Sequence, residues 1–422
     1  MSIRLIFFLA LYCNCWSVNF GQITYNDQIS PILNKYCADC HHKGGPGPFE
    51  LDTYEAVKSR ANFILHVIES RYMPPWKADA SFSHFRDERI MTEGDILVVR
   101  EWISSGMPKG RPNKKGKQKI GKVYFRPDIV LSMNKSYTIN GNSMDDFRFF
   151  HIPTRIQEDK FITGMEFIPG NKKRVHHSRI MVDTTNQISG IDGMSENDTA
   201  VYAFQRKPLA DEFLYGWVPG NFNFRFPKGF GKYLRKNSDI ILNMHYSPSS
   251  VTEQDRSTIH MYLSDPNEIT REVKTYILRE TDISNPPFII PANSERTFYI
   301  SSGILPQDIS LLTIQPHAHL LAKSFRAFAI TTDGDMIPLI KIDDWDFNWQ
   351  MTYVFENLLV IPKGSVIIME GVYDNTVNNA DNPSIPPQDT GYGWRTVDEM
   401  MNLILYYVDF QAGDESKKLE YD

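Results

Sequence analysis

Ile240-Ile241-Leu242-Asn243-Met244-His245-Tyr246 carries the pattern on which the fold of most of this chain turns. It belongs to a series of alternating apolar runs, the period of a strand with one buried face. Val366-Ile367-Ile368-Met369 and Leu403-Ile404-Leu405-Tyr406-Tyr407-Val408 read the same way. From Val123 onward such runs are broken by clusters of Asn, Asp, Gly and Pro, and long helical periodicity is scarce. The combination predicts antiparallel sandwiches. Roughly three hundred residues suit two sandwiches better than one, and the expected boundary falls near residue 270.

Composition agrees. The chain has 422 residues, 41% hydrophobic and 23% charged, which excludes collagen-like and wholly disordered classes. Its net charge of -6 lacks the basic surplus of a nucleic-acid binder, so no nucleic-acid partner is expected. Aromatics at 13%, with 25 Gly and 25 Pro, suit turn-rich β domains.

The N-terminus reads differently. Arg4 precedes the apolar run Leu5–Tyr12, too short for a permanent membrane anchor. It reads as a signal segment over 1–21, cleaved near Gly21, and implies a periplasmic or secreted protein without a membrane span. Of four cysteines, Cys13 and Cys15 leave with it, and Cys37 and Cys40 remain. Two cysteines make no disulfide scaffold.

Those two lie in Tyr36-Cys37-Ala38-Asp39-Cys40-His41, the C-x-x-C-H pattern of covalent haem c attachment. Two thiols can form thioethers to the haem vinyl groups, and the next residue offers an imidazole to iron. A thioredoxin-like pair would need a βαβ context, zinc would need two more ligands, and a disulfide would leave the histidine unexplained. Residues 25–36, 53–71 and 92–104 carry helical patterns, the last opened by Thr92 and Asp95. Three helices around this motif resemble a small class I cytochrome c domain. Such domains take a methionine as second axial ligand from the loop before the last helix, which the resemblance assigns to Met73 in Arg71-Tyr72-Met73-Pro74-Pro75-Trp76. Met91, Met107, His42 and His84 are weaker alternatives. Residues 108–122 are a basic, Gly/Pro-rich linker that ends this domain.

Eleven histidines are present, and five of them form three signatures: Val175-His176-His177-Ser178, Asn243-Met244-His245-Tyr246 and Gln315-Pro316-His317-Ala318-His319. In a strand His317 and His319 share a face, as chelation requires. His176 and His177 are adjacent, so a regular strand would point them apart. Joint ligation needs a bulge or a different ring nitrogen from each. Each histidine alone reads more readily as a hydrogen-bonded surface or core residue; an HH and an H-x-H in one exported chain bring the metal reading level with that one.

The order of these signatures, followed by Asp398-Glu399-Met400-Met401-Asn402-Leu403, resembles the copper type II, ascorbate-dependent monooxygenases over about 123–422. The resemblance implies two jelly-roll-like sandwiches with one copper ion each. It assigns His176, His177 and His245 to an electron-transfer copper, and His317, His319 and Met400 to an oxygen-binding copper. A thioether favours Cu(I), the state that meets O2. Met401, on the opposite face, is the structural foil of Met400. Three departures matter. No disulfides are available to the sandwiches. Gln315 stands where peptide-hydroxylating members carry a carboxylate-binding arginine. Ile404 stands where they carry a tyrosine, although Asn402 matches. Gln315 and Asn402 are thus the substrate-binding candidates, and a glycine-extended peptide is a poor substrate expectation.

The sequence therefore predicts a multidomain chain: a signal segment (1–21), a small all-α cytochrome c domain (22–107), a basic linker (108–122) and two all-β jelly-roll-like sandwiches (123–270 and 271–422). The expected activity is hydroxylation of an activated C–H bond by O2, with electrons entering at haem from an external donor. The substrate is an unidentified small molecule or peptide. An electron-transfer or copper-binding protein of the same fold is the alternative. A structural or carbohydrate-binding sandwich with incidental histidines is the third reading.

Overall fold

The computed structural model describes residues 22–43, 45, 47–112, 126–185, 189–195, 198–201, 213–218, 224–393 and 395–421. The expected signal segment 1–21 and linker residues 113–122 lie outside them. The described residues fall into two compact units. One draws on the described residues within 22–43, 49–72 and 91–112, the other on those within 45–48, 73–90 and 126–421.

The first unit is helical. A π-helical turn, Tyr25–Ile29, runs into the helix Ser30–Tyr36, and the helices Tyr54–Lys58, Ala61–Glu69 and Glu93–Ser104 follow. Threonines cap three of these starts. Thr24, Thr53 and Thr92 accept hydrogen bonds from the amides of Asp27, Ala56 and Asp95. The pattern over 53–71 forms two helices rather than one. The Ser59 hydroxyl donates to the Ala56 carbonyl at 2.9 Å, and Arg60 leaves helical geometry at φ -118° and ψ 8°. Tyr25, Ile29, Val57, Ile68, Val99 and Trp102 bury the shared core. The Trp102 indole donates to the Pro108 carbonyl at 3.0 Å, so the first residues of the expected linker still pack on this unit.

The second unit is mostly β, with sandwich-like sheets. In the first pair of sheets, one runs Ile129–Ser132, Thr258–Ser264, Lys160–Ile168, Phe230–Leu234 and Arg271–Glu272, with Phe224–Arg225 beside the third strand. Its partner runs Met194–Ser195, Asp146–Pro153, Asp239–Tyr246, Val175–Asp183 and Phe213–Trp217. Ile180, Ile240, Leu242, Met244 and Tyr246 lie in the core of this pair. The 240–246 alternation has its cause here: the even positions face this core.

The second pair of sheets comprises Lys274–Leu278, Asn402–Asp409, Ile309–His317 and Tyr353–Ile361, and then Glu295–Ile304, Val366–Asp374, Ala322–Ile330 and Met336–Ile342. The changeover between pairs falls at Val273. A third apolar cluster, with Phe213, Phe230, Val273, Leu312 and Tyr406, joins the pairs, and the Tyr406 hydroxyl donates to the Leu214 carbonyl at 2.7 Å.

Residues Met73–Ile90, contiguous in sequence with the helical unit, belong to the sandwich unit. Ala78 and Phe85 lie in the core of the second pair of sheets, and Trp76 packs against it. Burying this apolar surface holds the segment in the sandwich unit.

Candidate metal centre

Three histidines come together on one sheet of the first pair. His245 pairs with His177 across the ladder, but the next residue, Tyr246, pairs with Val175. His176 is therefore the extra residue of a β-bulge. The bulge turns a side chain that a regular strand would send to the opposite face. The Nδ1 atoms of His176 and His177 lie 3.2 Å apart, and those of His245 and His177 lie 3.3 Å apart. One ligand atom from each of the three lies within 4.8 Å of the others.

Two features orient His245. Its Nε2–H donates to Asp145 Oδ1 at 2.6 Å, which leaves the Nδ1 lone pair facing the other two rings. Phe147 stacks on it with centroids 4.1 Å apart. Burial, reinforced by the neighbouring His245, pushes His176 down to about 4 and His177 well below the usual histidine range. Both rings are thus neutral at pH 7, as ligands must be. Tetrahedral nitrogens about 2.0 Å from a shared ion stand about 3.3 Å apart, so this donor set fits a copper- or zinc-sized ion.

The second group sits on the other pair of sheets. His317 ends its strand opposite Asn402, after Pro316 opposite Leu403. Continuing that antiparallel register sets Ala318 against Met401 and His319 against Met400. Side chains facing across a ladder share a face. Ala318 and Met401 accordingly lie in the apolar core, whereas Met400, although buried, belongs to no apolar cluster among the described residues.

Both imidazoles are oriented through Nδ1. That of His317 donates to Gln350 Oε1 at 2.5 Å, and that of His319 donates to the Asp398 carbonyl at 2.9 Å. Their Nε2 lone pairs remain for a ligand, and the thioether of Met400 suits the same soft ion. Burial, then the neighbouring His319, takes His317 down to about 3; burial takes His319 down to about 4. Behind them Glu399 accepts from the amides of His319, Leu321 and Met400, and burial still holds its carboxyl up at about 8.

The two groups face one another. The rings of His177 and His317 have centroids 6.4 Å apart. Phe347 stacks on His176 at 4.9 Å and meets His319 edge-on at 5.8 Å. Arg179, donating to Asn243 Oδ1 at 2.6 and 2.9 Å, adds positive charge that disfavours protonation of His177, His317 and His319. Gln315 is buried. Its amide donates to the Gln350 carbonyl at 3.5 Å and its Oε1 accepts from Thr352 at 2.9 Å. Asn402 donates to Glu280 and to the Met401 carbonyl.

In sequence, 145, 347 and 350 carried no motif; they enter the site only through long-range pairing.

In the helical unit, Cys37 caps the first α-helix, and the His41 amide donates to the Cys37 carbonyl at 2.9 Å. Cys37 and Cys40 form no disulfide. Burial, then Cys40, pushes the Cys37 thiol up to about 12, so it is no activated thiolate. His41 Nδ1–H donates to the Phe49 carbonyl at 2.9 Å and leaves Nε2 available, the tautomer an axial ligand needs. Met73 stands at the head of the segment that packs in the sandwich unit. Of the alternatives, Met91 and Met107 pack in the helical unit's core, His42 binds the Ala38 carbonyl, and His84 lies beside Glu88.

Residues 294–420 match the family model for the copper type II ascorbate-dependent monooxygenase, C-terminal domain. The match spans Gln315, His317, His319, Met400 and Asn402. It supports a copper-dependent, monooxygenase-like function. No curated protein matches the chain. Among solved structures, the major capsid protein P2 from bacteriophage PM2 is 9% identical, covering 68% of this chain and 99% of that one, at a TM-score of 0.25. PNGF-II is 10% identical, covering 66% of this chain and 65% of that one, at 0.29. These TM-scores are too low to inform function. Among the described residues, no helix is long and apolar enough to cross a membrane.

Proposed function

We propose that this chain is an exported haem c and dicopper monooxygenase that hydroxylates an activated C–H bond: RH + O2 + 2e⁻ + 2H⁺ gives ROH and H2O. The observation that carries the reading is the approach of two histidine groups from two pairs of sheets, one of them within the matched family segment. His176, His177 and His245 would hold an electron-transfer copper, and His317, His319 and Met400 an oxygen-binding copper. Cys37 and Cys40 would bind haem covalently, with His41 and Met73 as axial ligands. When bound, copper supplies O2 chemistry and haem supplies single-electron chemistry.

The chain's own residues do the rest. Asp145 orients His245, and Gln350 and the Asp398 carbonyl orient His317 and His319. Burial keeps the His317 and His319 rings unprotonated. Neither Gln315 nor Asn402 offers a cation to a substrate carboxylate, which supports a substrate other than a glycine-extended peptide. The external donor and a periplasmic or secreted location belong to the same proposal. A signal segment 1–21, a haem domain 22–107 and sandwiches 123–270 and 271–422 complete it.

Metal analysis of protein made in a host that attaches haem c tests the reading. One covalent haem and two coppers are expected, with one copper lost in His317→Ala and no covalent haem in Cys37→Ala. Oxygen from labelled O2 should appear in product. Redox cycling without incorporation would favour an electron-transfer or copper-binding protein, and absence of copper would sink both.

A further inference from the structure

The segment Met73–Ile90 grips both stems of one loop. That loop, between the strands Met336–Ile342 and Tyr353–Ile361, carries Trp345, Phe347 and Gln350. The two strands are end strands of different sheets. On the first stem, Ala78 bridges Ile342, and the Asp79 amide donates to the Lys341 carbonyl at 2.8 Å. On the second, Phe85 bridges Phe355, and the Arg86 amide donates to the Val354 carbonyl at 2.7 Å. Trp76 meets Tyr353 edge-on at 5.2 Å. Lys77 reaches the loop itself, 2.7 Å from Asp344 and 3.9 Å from Asp346.

What the loop delivers is the surround of the second histidine pair. The Trp345 indole donates to the His319 carbonyl at 3.1 Å. Phe347 lies between His176 and His319. Gln350 spends its Nε2–H on the Phe347 carbonyl at 2.8 Å, which turns its Oε1 toward His317. The ring's tautomer therefore depends on where the loop sits.

We propose that Met73–Ile90 is a positioning strap for the His317/His319 site. By pinning both stems and Asp344, it holds Gln350 on His317 Nδ1, so that Nε2 stays unprotonated and aimed as a ligand. The proposal rests on the metal assignment above. Trp76 and Lys77 are positioning residues, because they touch a stem of the loop and the loop itself, and not the ligands.

The test uses the full chain and two readouts. In the metal-free protein, ¹⁵N spectra of histidine, assigned by single substitutions, report ring tautomers. Wild type should show His317 and His319 as Nδ1–H and His245 as Nε2–H. Lys77→Ala should turn His317 into a tautomer mixture and leave His245 alone; Trp76→Ala should do so further, and Trp76→Phe should restore the wild-type pattern. In competitive copper titration, one of two ions should bind about 10- to 100-fold more weakly in Trp76→Ala, the usual cost of losing outer-shell support, and the other unchanged. Lys77→Ala keeps every apolar anchor, so it reports even if Trp76→Ala does not fold. The strap is refuted if Lys77→Ala leaves the His317 tautomer and both affinities as in wild type. It is also refuted if both ions weaken alike. If wild-type protein holds no copper that His317→Ala removes, the metal assignment fails, while the tautomer measurement still decides whether the strap orients the ring.

Discussion

Replacing Asp414 should unfasten the two pairs of sheets from each other. Its carboxylate receives both terminal nitrogens of Arg271 at 2.7 and 2.8 Å, the Ser310 hydroxyl at 2.7 Å and the Gln411 amide at 3.0 Å. Arg271 lies on the last strand of the first pair, and Ser310 on the strand that ends in His317. Both charged side chains are 3% exposed or less. Burial alone would raise the carboxyl, but Arg271, Ser310 and the amide outweigh it and hold Asp414 at about 2, against an ordinary 3.8. That difference of about 1.8 pKa units is worth about 2 kcal/mol. Because the folded value is depressed, this stability is present above pH 4 and is lost as pH falls toward 2. Asp414→Ala does more, since it leaves a buried guanidinium with the Asp409 carbonyl but no counter-charge. The expected cost is about 3–5 kcal/mol at pH 7. Urea denaturation of the sandwich unit, followed by near-ultraviolet circular dichroism at pH 7 and pH 3, measures it. The gap between wild type and Asp414→Asn should narrow at the lower pH. A loss below about 1 kcal/mol in Asp414→Ala, or a gap that does not change with pH, would refute the clamp.

Asp145→Asn should weaken copper at the three-histidine group about 10- to 100-fold and leave the other ion unchanged, as competitive titration can show. Met400→Leu should lower Cu(I) affinity at the second site, whereas Met401→Leu should alter thermal stability and leave copper binding intact; the reverse outcome would move the ligand to the other face. Protonation of His176 and His177 should cost no copper affinity from pH 7.5 to 5 and compete only below that, because burial pushes His176 down to about 4 and His177 well below the usual histidine range. Histidines at the ordinary 6.5 would each lose about 1.5 log units by pH 5, so a steep decline over this interval would show the rings to be exposed and protonating.

Much of the fold was legible because strand periodicity is local. The run 240–246 alternates where one side meets a core, and His317 and His319 share a face for the same period-two reason. The bulge at His176 was not legible. It exists because Tyr246 pairs with Val175, a choice made between strands more than sixty residues apart in sequence. Met400 and Met401 could not be told apart by composition. Their faces follow from the register that sets Pro316 against Leu403. Asp145 and Gln350 carry no motif, since an outer-shell partner needs only one oxygen at one place. The helix over 53–71 was read too long because a hydroxyl competing for a helical carbonyl leaves the apolar period intact. Residues 73–90 read as a loop of the helical region because they are contiguous with it, whereas Trp76, Ala78 and Phe85 bury their surface against strands, at Ile342, Tyr353 and Phe355, that come more than two hundred residues later.

The two histidine groups differ in a way that bears on the division of labour proposed for them. His245 is held through Nε2 and presents Nδ1, the ring nitrogen nearer its own backbone. His317 and His319 are held through Nδ1 and present Nε2, the nitrogen farther out. Lone pairs of the first kind would keep an ion close to the sheet, which suits the electron-transfer role proposed for that site. Lone pairs of the second kind stand farther from their strand, beside a thioether, which suits an ion that must keep a coordination position open to O2. The partners that set this contrast are a carboxylate, an amide side chain and a backbone carbonyl. Exchanging the tautomers at either group should therefore change what its metal can bind before it changes whether metal binds at all.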